Sequence, residues 1–91
     1  MIFDWDPEKS AENSAKHGIS FDQAIKAFDD PEALYFSDPA HSDGELREKL
    51  LGAADDIGLI LVVFTERHGD IVRIISAREA TKKEKQFYAK K

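Results

Sequence analysis

The chain has 91 residues, 42% of them hydrophobic and 34% charged, with 13 Lys and Arg against 18 Asp and Glu and a formal net charge of −5. That length suits one hydrophobic core, and the balance is that of a globular rather than a disordered chain. There is no cysteine for a disulfide or a thiolate metal site, no apolar run near the ~20 residues of a membrane span, and acids where a signal peptide carries bases, so a single cytoplasmic domain over residues 1–91 is expected.

Ile2-Phe3-Asp4-Trp5 alternates as a short strand. Asp6 and Pro7 then open a helix as N-cap and first-turn proline, Glu8 places negative charge at its start, and Gly18 ends it after His17. Ser20 with Gln23 fits a capping box for a second helix, whose apolar stripe Phe21, Ala24, Ile25 and Phe28 runs until Asp29-Asp30-Pro31 stops it. Ala33 to Phe36 reads as a strand, Ser37 to Gly44 as a polar loop, Glu45 to Gly52 as a strand and Ala53 to Gly58 as a turn. Leu59 to Phe64 is apolar without a break, which marks a central strand covered on both faces. Arg67-His68-Gly69-Asp70 forms a hairpin loop, Ile71 to Ala77 the return strand, and Thr81 with Glu84 a second capping box that opens a terminal helix. This order implies an α+β fold: an N-terminal strand and two helices packed on an antiparallel meander sheet, with a short C-terminal helix closing an edge or another side.

Charge is divided along the chain. Residues 1–66 hold five Lys and Arg against fifteen Asp and Glu, whereas residues 67–91 hold eight against three, so an acidic total is compatible with a phosphate-binding face. On the first helix, Ala11, Ala15 and Gly18 share a small face suited to close packing. Lys9, Asn13 and Lys16 share the opposite one with His17 at its shoulder, either an ordinary solvated surface or an anion-binding one in which His17 exchanges protons. Asp38, His41, Asp43 and Glu45 could be read as metal ligands, but the stretch lacks a second histidine and turn-forming residues account for it; no metal or other cofactor is expected. Glu45 and Arg47, two apart on a strand, share a face as a structural pair or as a base beside a phosphate clamp. Arg67 ends the central strand, where loops meet and function concentrates. On the return strand, strict alternation groups Val72, Ile74, Ser76 and Arg78 on one face against Ile71, Arg73, Ile75 and Ala77 on the other. Arg73, among apolar neighbours, requires a carboxylate or carbonyl partner, while Arg78 is better placed for a ligand.

These parts suit RNA cleavage without a metal. A base takes the proton of the 2′-hydroxyl, cations hold the charge of the phosphorane, and an acid protonates the departing 5′-oxygen. Trp5, Tyr35 and Tyr88 are available to stack bases.

Three stretches, taken together, resemble one family. Phe3-Asp4-Trp5-Asp6-Pro7 with Lys9, Asn13 and Lys16-His17-Gly18-Ile19-Ser20-Phe21 is similar to the opening of the BrnT toxins of bacterial type II toxin–antitoxin systems. Phe28-Asp29-Asp30-Pro31 with Asp38, His41-Ser42, Glu45 and Arg47 is similar to their middle, and Arg73-Ile74-Ile75-Ser76-Ala77-Arg78 with Ala80 and Glu84 to their close. The resemblance covers nearly the whole chain. It implies a RelE-like fold and a metal-independent ribonuclease that arrests growth. It also implies a BrnA-like antitoxin whose ribbon-helix-helix region carries the pair to operator DNA, as a dimer or a heterotetramer. By position, His17, Glu45, Arg47, Arg67 and Arg78 are the catalytic candidates: His17 or Glu45 for proton transfer, the three arginines for phosphate. Lys9, Lys16 and Lys82 are the RNA-binding candidates. A non-catalytic co-repressor module and a gyrase-directed toxin are the other functions such a scaffold would support.

Overall fold

The apolar run at 59–64 organises the molecule. A computed structural model describes residues 1–38 and 46–90. Among them the strands are β1 (Ile2–Asp4), β2 (Leu34–Ser37), β3 (Arg47–Ala54), β4 (Gly58–Arg67) and β5 (Ile71–Glu79), in the spatial order β1-β5-β4-β3-β2. Strands β2 to β5 form the antiparallel meander with β4 at its centre, and β1 adds to the β5 edge in parallel. The helices are α1 (Pro7–His17), α2 (Phe21–Ala24), which runs into a 3-10 segment at Ile25–Asp29, and α3 (Lys82–Ala89).

Both sheet faces are covered, but unequally. Ile60, Val62 and Phe64 of β4 turn towards α1, α2 and the 3-10 segment and pack with Phe21, Ala24, Ala27, Leu50, Val72, Ile74 and Ala77. On the other face a smaller cluster of Leu51, Leu61 and Ala80 is completed by Leu34, Phe36, Leu59 and Tyr88, the last from α3. No residue of α3 is itself buried, so the helix covers only part of that face. Gly52 lets the 3-10 segment rest directly on β3: a Cβ there would stand 2.8 Å from the Ala27 carbonyl oxygen.

The expected caps are present. Asp6 accepts from the Glu8 amide at 2.9 Å, and Gly18, at φ 73, donates to Ser14 O at 2.9 Å. Both capping boxes, Ser20 with Gln23 and Thr81 with Glu84, are closed in both directions.

Two sequence readings are corrected. Ala11 and Ala15 do not form the packed face of α1; both are exposed, and the buried residues are Ser10 and Asn13. The helix docks through polar side chains because they complete backbone hydrogen bonds. Asn13 Nδ2 donates to Ile19 O and Ala77 O, each at 2.8 Å, and Asn13 Oδ1 accepts from the Ala77 amide at 3.1 Å. Ser10 Oγ accepts from the Phe21 amide at 2.9 Å.

The second correction concerns β5. Its alternation breaks, since Phe64 pairs with Ile74 and Val63 with Ser76, leaving Ile75 as the extra residue of a bulge. Beyond it the faces exchange: Ala77 joins Val72 and Ile74 in the larger core. Ser76 and Arg78 consequently share the opposite face with Arg73.

Candidate functional site

The bulge determines where the cations lie. By register, Arg47 stands beside Thr65 and Arg73, Lys49 beside Val63 and Ser76, and Leu51 beside Leu61 and Arg78. Arg67, two residues after Thr65, has the same orientation. One sheet face thus carries Arg47, Lys49, Arg67, Arg73 and Arg78, gathered from three strands. The opposite face carries acids at the same end. There Glu48 is held above the ordinary carboxylate range by burial and by Glu66, and Tyr35 is raised by burial, Glu48 and Glu66.

At the open end of the basic face a cavity of about 280 Å³ lies where β1 stops and leaves the edge of β5 uncovered. Lys9 from the first turn of α1, Arg47 from β3 and Arg73 from β5 line it, together with Asp6 and Ile75 of the bulge. Arg73 also meets Asp4 at 2.6 Å, a carboxylate partner as the sequence led one to expect, although its neighbours on this face are Thr65 and Arg47 rather than apolar residues. This pair fastens the end of β1 to β5 at their register position.

The candidates from sequence are distributed unevenly around this site. Lys9 and Arg47 meet in it. Lys16 and His17 are exposed in the last turn of α1, about 10 Å along the helix axis from Lys9, and line neither described cavity. Arg67 is exposed at the end of β4. Lys82 is exposed at the start of α3. Glu45 and His41 fall outside the described residues. Among the described residues no group of three or more His, Asp or Glu is arranged to hold a metal ion.

Arg78 is tied into the fold rather than held out to solvent. Its two terminal nitrogens donate to the two carboxylate oxygens of Glu84, at 2.8 and 3.0 Å. That fork, reinforced by the Thr81 amide, depresses the Glu84 carboxyl to about 2 and raises the Arg78 guanidinium. The three aromatics singled out for base stacking each make a contact within the fold, although Tyr35 remains 53% exposed. Trp5 packs edge-on against Phe21, Tyr35 edge-on against Phe64, and Tyr88 donates to Asp30 at 2.6 Å.

Sequence reasoning passed over Lys49 and the aromatic pair Phe36 and Phe87, which surround a second cavity of about 470 Å³ under α3. The available signal was Phe87 itself, a large apolar side chain 54% exposed on a helix of otherwise polar character.

Comparison with known proteins bears on this arrangement. The model of the ribonuclease toxin BrnT of type II toxin–antitoxin systems matches residues 5–84. The chain belongs to the BrnT family. A crystal structure of the Brucella abortus ribonuclease toxin BrnT is similar at 25% identity with a TM-score of 0.69, over 90% of this chain and 100% of that one. No curated protein matches significantly. The range shared with the BrnT model takes in Lys9, Arg47, Arg73 and the Arg78–Glu84 fork. Members of this family are ribonuclease toxins of type II toxin–antitoxin systems, so an antitoxin is the expected partner.

Proposed function

We propose that this chain is itself an active endoribonuclease that cleaves RNA without a metal ion, and that its phosphate-binding groove is the open end of the basic sheet face. The observation that carries this reading is the convergence of Lys9, Arg47 and Arg73 on one cavity from a helix and two non-adjacent strands. Cations brought together from such distant points in the sequence suit a polyanion; Arg73, bonded to Asp4, adds positive charge at the rim, and the planar guanidinium of Arg47 matches phosphate oxygens. In the reaction the 2′-oxygen attacks phosphorus and gives up its proton, while the bond to the 5′-oxygen breaks and that oxygen takes a proton. Arg47 and Arg67 hold the charge that builds on the non-bridging oxygens. Proton transfer is assigned to His17 or Glu45, and backbone contacts to Lys9, Lys16 and Lys82. Arg78, already forked to Glu84, supports the site by holding α3 to β5.

In this reading the partner is a BrnA-like antitoxin with a ribbon-helix-helix region, and operator DNA is reached only through it. The test is cleavage of single-stranded RNA in EDTA by protein purified away from antitoxin. Arg47→Ala should lower the rate about 10²-fold, and Arg47→Lys should restore only part of it. Comparing His17→Ala with Glu45→Gln separates the two proton-transfer assignments. Intact RNA without growth arrest on expression would overturn the proposal in favour of a co-repressor module. Intact RNA with arrest and supercoiling defects would instead point to gyrase.

A further inference from the structure

The cavity beneath α3 differs in character from the phosphate groove. Its walls are Phe36 of β2, Leu51 of β3, Leu61 of β4 and Phe87 of α3, and Lys49 and Lys83 stand at its margin. The two rings meet at 5.6 Å with their planes 40° apart, and Phe87 leaves more than half of its surface accessible. Phe36 and Lys49 are register partners on the basic face, two residues along β3 from Arg47. The apolar pocket therefore continues directly from the row of cations.

We propose that this cavity is a base-stacking subsite that receives one nucleobase of single-stranded RNA while the adjoining phosphates lie along Arg47 and Lys49. The inference rests on the ribonuclease reading for its substrate class. Its occupant is chosen by charge and shape. A flat apolar ring suits the face of Phe87 and the aliphatic floor, and Ser37 and the two lysines at the margin offer polar groups to base edges. Glu84, which lines this cavity, is neutralised by Arg78, and Lys49 at the margin stands 4.0 Å from the buried Asp38 carboxylate. Lys83 and the neighbouring Arg47 therefore supply the net positive charge that the pocket mouth presents to a polyanion. Stacking tolerates any base, so the subsite contributes affinity and positioning more than sequence preference.

The experiment compares two tetranucleotide probes with equal phosphate number, one bearing bases and one abasic, both 2′-O-methylated so that no nucleophile is present. Wild-type protein should bind the base-bearing probe about 10-fold more tightly. Phe87→Ala should abolish that difference and leave abasic affinity unchanged, with circular dichroism showing an unaltered fold. Lys49→Gln should weaken both probes together. No difference between probes in the wild type, or a difference that survives Phe87→Ala, would overturn the proposal. It would equally be overturned if Phe87→Ala instead weakened antitoxin capture or self-association and left base discrimination intact. Because the probes cannot be cut, failure of the ribonuclease reading shows separately, as wild-type protein that discriminates bases yet leaves natural RNA whole.

Discussion

Asn13 shows how a single polar side chain can be the docking device of a helix. Its amide completes three hydrogen bonds to backbone groups of Ile19 and Ala77, and the second of these lies 64 positions away in the chain. Truncation would leave those groups buried without partners, at about 1–3 kcal/mol for each one that water cannot reach. We expect Asn13→Ala to lose about 3 kcal/mol in urea unfolding, a large share of the 5–15 kcal/mol typical of a small domain. Asn13→Asp should do little better, because its carboxylate still accepts from the Ala77 amide but faces two carbonyl oxygens where the Asn amide donated. Asn13→Ser at a stability equal to wild type would contradict this account. The residue was visible in the sequence only as a polar position in line with Lys9 and Lys16. A helical wheel assigns a polar residue to solvent unless its distant partner is known, and nothing local to Asn13 indicates Ala77.

Among the elements, α3 is held by its two ends more than by its face. At the first turn Arg78 forks onto Glu84, and at the last turn Tyr88 donates to Asp30 at 2.6 Å, a carboxylate that also accepts from the Ala53 amide at 2.8 Å. Each end carries its own pH signature. The Glu84 carboxyl is depressed from 4.5 to about 2, so its contribution is complete above 4.5 and disappears as pH falls through about 2. A shift of that size corresponds to about 3 kcal/mol, which partial exposure of the pair reduces to about 1–2 kcal/mol. The Tyr88 hydroxyl is raised from 10.0 to about 12 by the bond to Asp30, so its contribution is complete below 10.0 and disappears as pH rises through about 12. Glu84→Gln should flatten the acid limb of a stability–pH profile between those values and leave the alkaline limb alone; Tyr88→Phe should do the reverse. The start of the helix was legible, since Thr81 and Glu84 form a local box that needs no tertiary information. The bonds from Arg78 to Glu84 and from Tyr88 to Asp30 were not, because the sequence alone offers both residues to a ligand. Nor was the bulge in β5. Ile74-Ile75-Ser76 contains no glycine or proline to mark an extra residue, and strict alternation therefore placed Arg78 and Arg73 on opposite faces. The fold survives that misreading, but the basic face does not emerge without the bulge.

At the scale of the whole molecule, a net charge of −5 is compatible with the proposed RNA recognition because the sheet separates its charges by face. Arg47, Lys49, Arg67 and Arg73 point to one side at the open end of the sheet, while Glu48 and Glu66 at that same end point to the other. Linear charge counting divided the chain near residue 66, whereas the structure draws three of the basic-face cations from beyond that point and two from before it. The periodicity of strands, not the order of residues, does the sorting. Affinity for RNA should then follow the few cations of one face rather than the total. Each phosphate contact on a single strand adds about −0.7 to the slope of log K against log salt, so four or five contacts predict a slope near −3. Arg47→Ala and Lys9→Ala should each make the slope shallower by about 0.7. Lys26→Ala, an exposed cation on the 3-10 segment beyond the opposite face, should leave it unchanged. Titrations of an uncleavable single strand between 50 and 200 mM salt, a fourfold range over which a slope near −3 changes affinity about 60-fold, read these slopes directly. Equal effects from Arg47→Ala and Lys26→Ala would mean that RNA senses only the overall charge of the molecule, and the separation of charge by face would then have no part in recognition.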